Sequence, residues 1–202
     1  MAICILQDRA VLHIGGRDAR AFLQALVTVD MERLQPGGHL FGALLSPQGK
    51  IQFDFFIHAA GDDFLIDIDA GRAADFLKRL TLYRLRAQVN FDDRSASHRL
   101  VVAWATHATT PSTADARLAA LGNRFMSVQP VTQTASENDY HAHRLHLGVP
   151  EAGKDFAYDD IFPHDAMMDA LQGVDFTKGC YIGQEVVARV QHRSTARKRF
   201  YI

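Results

Sequence analysis

The sequence predicts an α+β protein of two similar lobes, each an antiparallel sheet with a helix packed on it. Three observations lead there. Apolar residues alternate with polar ones over 51–57 and again over 64–68, the two-residue period of half-buried strands. Helical i, i+3, i+4, i+7 spacing marks Ala19, Phe22, Leu23 and Leu26, and returns at Ala73, Phe76, Leu77 and Leu80. The order strand, helix, strands, helix, strand then resumes in similar form after His98, which suits segregated helices and antiparallel strands.

In chain order, Val11 to Ile14 reads as a strand closed by Gly15 and Gly16, after which Asp18 is placed to cap the first helix. Pro36, Gly37 and Gly38 form a turn into a strand over 39–45, and Ser46-Pro47-Gln48-Gly49 gives a hairpin connection. The strand beyond sets Ile51, Phe53, Phe55 and Ile57 against Gln52, Asp54, Phe56 and His58. Ala60-Gly61-Asp62 turns again, and Phe64, Ile66 and Ile68 alternate with Leu65, Asp67 and Asp69, so three successive antiparallel strands result. The second helix runs from Gly71 to about Leu82, and a further strand from Gln88 to Phe91.

The second pass begins near His98. A strand is expected over 100–104, a turn at Thr110-Pro111-Ser112, a helix over 113–121, a strand over 124–128 and a helix over 139–147. From Gly148 to Gly173 the turn formers Pro150, Gly153 and Pro163 predict a long loop with short helical pieces, a length common in functional segments. The expected division is 1–97 for the first lobe, 98–192 for the second, and 193–202 for the start of a truncated C-terminal module.

Composition excludes several classes. With 48% hydrophobic and 22% charged residues the chain is an ordinary globular protein. A formal net charge of -1 gives no electrostatic case for a specific nucleic-acid partner. Cys4 and Cys180 are too few and too distant for a disulfide framework, which favours a reducing compartment. The start lacks a basic region and long apolar core, and no apolar run approaches the roughly 18 residues of a spanning helix, so a cytoplasmic setting without a membrane partner is expected.

The most informative stretch is Phe176-Thr177-Lys178-Gly179-Cys180-Tyr181-Ile182-Gly183-Gln184-Glu185. It sets a cysteine between two glycines, two residues after a lysine, ahead of a run that can be helical. Glycine allows close backbone approach, and a cation with a helix N-terminus favours the thiolate, the reactive form. On that reading Cys180 is the reactive group, Lys178 assists it, and Gly179, Tyr181, Gly183, Gln184 and Glu185 shape and hold the loop. A structural turn around a small buried cysteine is the alternative.

Lys178 to Glu185 resembles the signature of the YgfZ family of folate-binding proteins in iron–sulfur cluster assembly and repair, related in fold to the glycine cleavage T-protein. Phe162-Pro163-His164, Phe176-Thr177 and Tyr83-Arg84-Leu85-Arg86 extend the resemblance over nearly the whole chain. It implies two lobes around a central pocket, tetrahydrofolate or a derivative as ligand, and iron–sulfur proteins or their assembly factors as partners. The family's C-terminal β-barrel module is expected to begin at about residue 193 and to be truncated in this sequence. Gly49 to Asp54 is similar to the relatives' element carrying a carboxylate near the reacting folate nitrogens, which makes Asp54 a folate-binding candidate, with Tyr83. Arg144-Leu145-His146 is similar to an Arg-Leu-Glu segment whose glutamate meets the pterin. Arg144 is therefore a third candidate, while His146 in the glutamate's place disfavours aminomethyltransferase activity.

Further residues invite weaker readings. His141, His143 and His146 can ligate a metal in principle, but His141 falls off the shared helical face, so surface histidines are expected. Cys4 and Cys180 alone cannot hold a cluster that normally takes four cysteines, so action on clusters held elsewhere is expected. Arg84, Arg86, Arg189, His192, Arg193, Arg197, Lys198 and Arg199 supply positive charge suited to a folate's glutamate tail. A non-catalytic folate-binding scaffold and a true aminomethyltransferase are the competing functions. The apolar end at Phe200, Tyr201 and Ile202 is expected to expose a strand edge.

Overall fold

The computed structural model describes residues 1–105 and 113–192. Its strands are β1 (Ala2–Leu6), β2 (Arg9–Gly15), β3 (His39–Leu45), β4 (Ile51–Ala60), β5 (Asp63–Asp69), β6 (Asn90–Asp93), β7 (Arg99–Trp104) and β8 (Asn123–Ser127). Its helices are α1 (Ala19–Leu26), α2 (Ala73–Arg84), α3 (Glu137–His146) and α4 (Gln184–His192). Two antiparallel sheets result, a five-stranded one ordered β3-β4-β5-β2-β6 and a three-stranded one ordered β1-β7-β8. The α+β expectation holds.

The alternating patterns decide what covers the larger sheet. Phe53, Phe55 and Ile57 of β4, Phe64, Ile66 and Ile68 of β5, and Leu12 and Ile14 of β2 share one face. Onto it α1 lays Ala19, Phe22, Leu23 and Leu26, and α2 lays Ala73, Phe76 and Leu80, the residues their spacing singles out. Phe76 sits edge-on to Phe53 with ring centroids 5.2 Å apart, and each fully buried aromatic of this kind contributes about 1.5–3 kcal/mol. The opposite face carries Phe41, Ala43 and Phe56, which pack with Ala166, Met168, Val174, Tyr181 and Val187 from the last third of the chain.

Several expectations are corrected. Ala2–Leu6, not foreseen as a strand, pairs in register with β7 from Ala2↔Trp104 to Leu6↔Leu100. A division at 97/98 therefore does not follow the sheets, because the first strand belongs to the second one. Asp18 makes no side-chain cap. Its Oδ2 instead accepts the Gln88 N–H at 2.7 Å and ties the β6 approach to α1. The strand expected over 88–91 lies at Asn90–Asp93, paired with β2. Instead of a helix over 113–121, the described residues there include a bridge, Ala114↔Asn123, and a short 3-10 turn, Ala119–Leu121. Asp115 explains this: its backbone N–H is given to Gly122 O, and its carboxylate collects the Arg117 backbone and guanidinium. α3 forms as expected, opened by a Ser136/Asp139 capping box. The turn at Thr110-Pro111-Ser112, the apolar end at Phe200 to Ile202, and Arg193, Arg197, Lys198 and Arg199 lie outside the described residues.

Candidate functional site

The motif loop alternates buried pegs with presented residues. Asp175, Lys178 and Tyr181 are buried, while Phe176, Thr177, Gly179 and Cys180 are exposed. Asp175 organises the turn: Oδ1 accepts the Thr177 N–H at 2.8 Å, the Thr177 hydroxyl at 2.7 Å and the Lys178 N–H at 3.1 Å, and Oδ2 accepts Arg33 at 2.9 Å. Burial alone would raise this carboxyl, but those donors outweigh it and hold it down at about 2.

Lys178 takes a different place from the expected one. Its ammonium donates to Gln24 O at 2.8 Å, Val27 O at 2.6 Å and Val29 O at 2.9 Å, the carbonyls at and just past the end of α1. An ammonium has three N–H groups, so none remains for Cys180. The lysine satisfies carbonyls a helix end leaves orphaned and meets the negative end of the α1 dipole. Burial pulls its pKa down to about 8. Lys178 thus pins the loop rather than activating the thiol.

The glycines of the motif divide. Gly183 has φ +80°, and a Cβ there would stand 2.6 Å from Ser46 O, 3.0 Å from Leu45 Cβ and 3.1 Å from Gly49 Cα. Gly49, at the tip of the β3–β4 hairpin, also has φ +80°, and a Cβ on it would fall 2.8 Å from Val186 Cβ. The entry to α4 and the hairpin tip interlock backbone to backbone. Gly179 has open space around its Cβ position and no left-handed φ, so nothing within the chain requires glycine there. Gln184 closes the loop by donating its N–H to Tyr181 O at 3.3 Å, and Glu185 is exposed in the first turn of α4. Phe162-Pro163-His164 comes to the same corner. His164, 3% exposed, meets Gln191 Oε1 at 3.0 Å, and its ring lies 5.7 Å from Phe176. Cys4, by contrast, is fully buried, and burial, followed by the Glu137 carboxylate, pushes its thiol up to about 11.

Between the sheets lies a layer of buried charge. Asp67 receives Arg9 Nε at 2.6 Å on Oδ1 and Arg124 Nε at 2.7 Å on Oδ2. Desolvation would raise Asp67, but Arg124 and then Arg9 overcome it and hold the carboxylate at about 2. Arg117 bonds Asp115 at 2.9 Å and the Tyr140 hydroxyl at 2.8 Å, and the Arg124 guanidinium lies 4.0 Å over the Phe56 ring. Scattered from Arg9 to Tyr140, these residues form no motif in the sequence. The usable signal was the polar side of the β4 and β5 alternation, which needs cover once a second sheet packs on it.

Asp54 belongs to this layer. It faces away from the helices, is 6% exposed, and accepts the Tyr158 hydroxyl on Oδ1 at 3.1 Å. Burial raises its pKa, against the opposing pull of Arg9 and the Tyr158 bond. Tyr83 does not join it: on α2, it packs against the helical face of the sheet. Arg144 is buried and bound to its own loop, donating to Asp155 Oδ2 at 2.5 Å and Val149 O at 3.0 Å, with Glu151 Oε2 at 3.4 Å. Of the three residues assigned to folate, Asp54 alone retains an orientation toward the space between the sheets. A separate cleft of about 310 Å³, lined by His39, His58, Leu65 and Arg124 among others but not by Asp54 or Tyr158, opens beside β3, β4 and β8. His39 and His58 stack at 4.8 Å, and burial, followed by the neighbouring His39, draws His58 down to about 3, so its imidazole is neutral.

The three α3 histidines are not all surface groups. His141 accepts Arg144 Nε at 3.1 Å, His143 stacks on Trp104 at 5.7 Å, and His146 is exposed. Among the described residues no group of three or more His, Cys, Asp or Glu is arranged to hold a metal ion.

No family model matches the chain. It is 32% identical to the mitochondrial iron–sulfur cluster assembly factor IBA57 homolog of Mycosarcoma maydis over 95% of its own length and 54% of that protein. It is 28% identical to human mitochondrial IBA57 over 97% of its length and 64% of that protein. The chain spans about half the length of the first curated relatives it matches. These relatives are named as mitochondrial, which overturns the expectation of a cytoplasmic setting. The crystal structure of glycine cleavage system aminomethyltransferase T from Bartonella henselae matches with a TM-score of 0.65 and 16% identity, covering 95% of this chain and 63% of that one. That likeness shows the fold. Along nearly its whole length, then, this chain is similar in sequence to IBA57-type iron–sulfur cluster assembly factors and has the fold of aminomethyltransferase T.

Proposed function

We propose that this chain serves iron–sulfur cluster assembly or repair as a YgfZ-type factor, with Cys180 as its working thiol and iron–sulfur proteins or their assembly factors as partners. The observation that carries the reading is Cys180 itself, exposed on a loop fastened by the buried Asp175, Lys178 and Tyr181, in a chain whose relatives are assembly factors. Such fastening suits a thiol offered to another molecule. A buried packing cysteine, as Cys4 is, needs none of it. Tetrahydrofolate or a derivative belongs to the same reading, held between the sheets beside Asp54 and Tyr158. The raised pKa of Asp54 suits a carboxyl that donates a hydrogen bond to a ring nitrogen. Such a ligand, when bound, carries one-carbon units on its reduced ring. Arg144 and Tyr83 are left out of the site because their side chains are used elsewhere.

Complementation tests the thiol. In cells lacking the protein, wild type is expected to restore the activity of an iron–sulfur enzyme and Cys180→Ala is not. Full rescue by Cys180→Ala would turn the reading to a scaffold. Calorimetric titration with tetrahydrofolate tests the ligand, with saturable heat expected and weakened by Asp54→Asn. Absence of heat would remove folate from the proposal while leaving the thiol standing.

A further inference from the structure

The corner between α2 and β6 carries three features that its packing does not explain. The first is Leu85. Arg84 O accepts the Ala87 N–H at 2.8 Å, closing a tight turn in which Leu85 holds φ 46° and ψ −107°. That is the first central position of a II′-type turn, where glycine is the unstrained residue. Leu85 is nevertheless 89% exposed, so the side chain that forces the strain has almost no packing to offset it. Leu82, one turn earlier on α2, is 64% exposed. The second feature is charge. Lys78, Arg79, Arg84 and Arg86 fall in a stretch with no acidic residue between Asp75 and Asp92. Lys78 lies one helical turn before Leu82 and so shares its face. The third is shape: a hollow of about 480 Å³, lined by Gly16, Arg17 and residues 87–90, opens directly beside the turn. Arg17 is 78% exposed at its edge and lies 3.7 Å from Oδ1 of the half-exposed Asp18, whose Oδ2 accepts the Gln88 N–H.

We propose that this corner docks an acidic segment of a partner protein. An apolar side chain of the partner would rest on Leu82 and Leu85, and its carboxylates would meet Arg17, Arg84, Arg86 and Lys78. Charge selects the sign of the partner, since a cationic rim attracts carboxylates and repels basic surfaces. Shape selects its class. A concave hollow with two projecting leucines fits a protruding protein segment, whereas a bilayer surface calls for a broad apolar face, and the apolar face of α2 is already spent on the core. Leu85 then earns its strain by contact with the partner.

Site-specific photocrosslinking tests this. A benzoyl-phenylalanine replaces Leu82 in the full chain, cells are irradiated, and the crosslinked partner peptide is mapped. An adduct to a net-acidic protein segment is expected, with a yield that falls roughly tenfold in R84E/R86E and in Leu85→Gly. Leu85→Gly is also expected to melt no lower than wild type, because glycine relieves the turn. An adduct to lipid, to a second copy of this chain or to a neutral or basic segment would overturn the proposal. So would no adduct at all, an unchanged yield in the variants, or a Leu85→Gly protein less stable than wild type. None of these readouts depends on Cys180 or on folate.

Discussion

Gly183→Ala should damage this protein far more than Gly179→Ala, although the two glycines flank the same cysteine motif. At 183 an added methyl meets the Ser46 carbonyl oxygen at 2.6 Å, with Leu45 Cβ and Gly49 Cα close behind, and the residue must keep φ +80°. A left-handed non-glycine residue costs roughly 1–2 kcal/mol and overpacking against fixed backbone roughly 1–3 kcal/mol. Since Ser46 O and Gly49 Cα are backbone atoms, no rotamer change relieves the contact. The expected loss is therefore roughly 2–5 kcal/mol, a fall in Tm of roughly 5–15 °C for a chain of this size. At 179 the same methyl enters open space without a left-handed φ, and the change should stay within about 0.5 kcal/mol or slightly stabilise. Thermal and urea unfolding of both variants decide it. A Gly183→Ala protein as stable as wild type, or two variants equally impaired, would refute the interlock between the α4 entry and the hairpin tip.

Two further outcomes follow from the thiols and from Asp175. A disulfide-exchange reagent should titrate one thiol in the native protein and two in denaturant, because Cys180 is exposed while Cys4 is fully buried with its thiol pushed up to about 11; two fast native thiols would contradict the packing of β1. Asp175 is held at about 2 against an ordinary 3.8, so its contribution is fully present above pH 4 and is lost as pH falls toward 2. Asp175→Asn should lower Tm near neutral pH and flatten the acid limb between pH 4 and 2, and an acid limb of unchanged slope would refute the assignment.

How far the sequence was legible depended on the range of the interactions involved. Helices α1 and α2 and strands β3 to β5 announce themselves by local periodicity, and their buried residues are the ones the periods select. β1 does not, because Ala2–Leu6 lacks alternation and its partner Leu100–Trp104 lies almost a hundred residues away. The role of Lys178 is hidden from the sequence for a similar reason. Proximity in sequence suggested Cys180, whereas its three acceptors are backbone carbonyls about 150 residues earlier, which no side-chain pattern reports. Alternation did place Asp54 and Asp67 away from the helices, but it says nothing about what covers that side. The cover, Arg124 and Tyr158 among others, comes from parts of the chain whose own sequence gives no hint of it.

The placement of β1 has a consequence for how the chain acquires its structure. During synthesis, β2 to β5 can pair before β7 is made, since all their pairings lie within residues 9–69. The first strand cannot join them. It must wait unpaired until Arg99–Trp104 emerges, its edge open to wrong partners in the meantime. Once it docks, the Thr134 side chain accepts the Ile3 N–H at 2.9 Å, and Gln133 accepts that of Ile5 at 3.0 Å, closing its outer edge. β1 is thus made before β2 to β6 yet secured after them, and cutting the chain near residue 97 should leave neither half able to hold the smaller sheet.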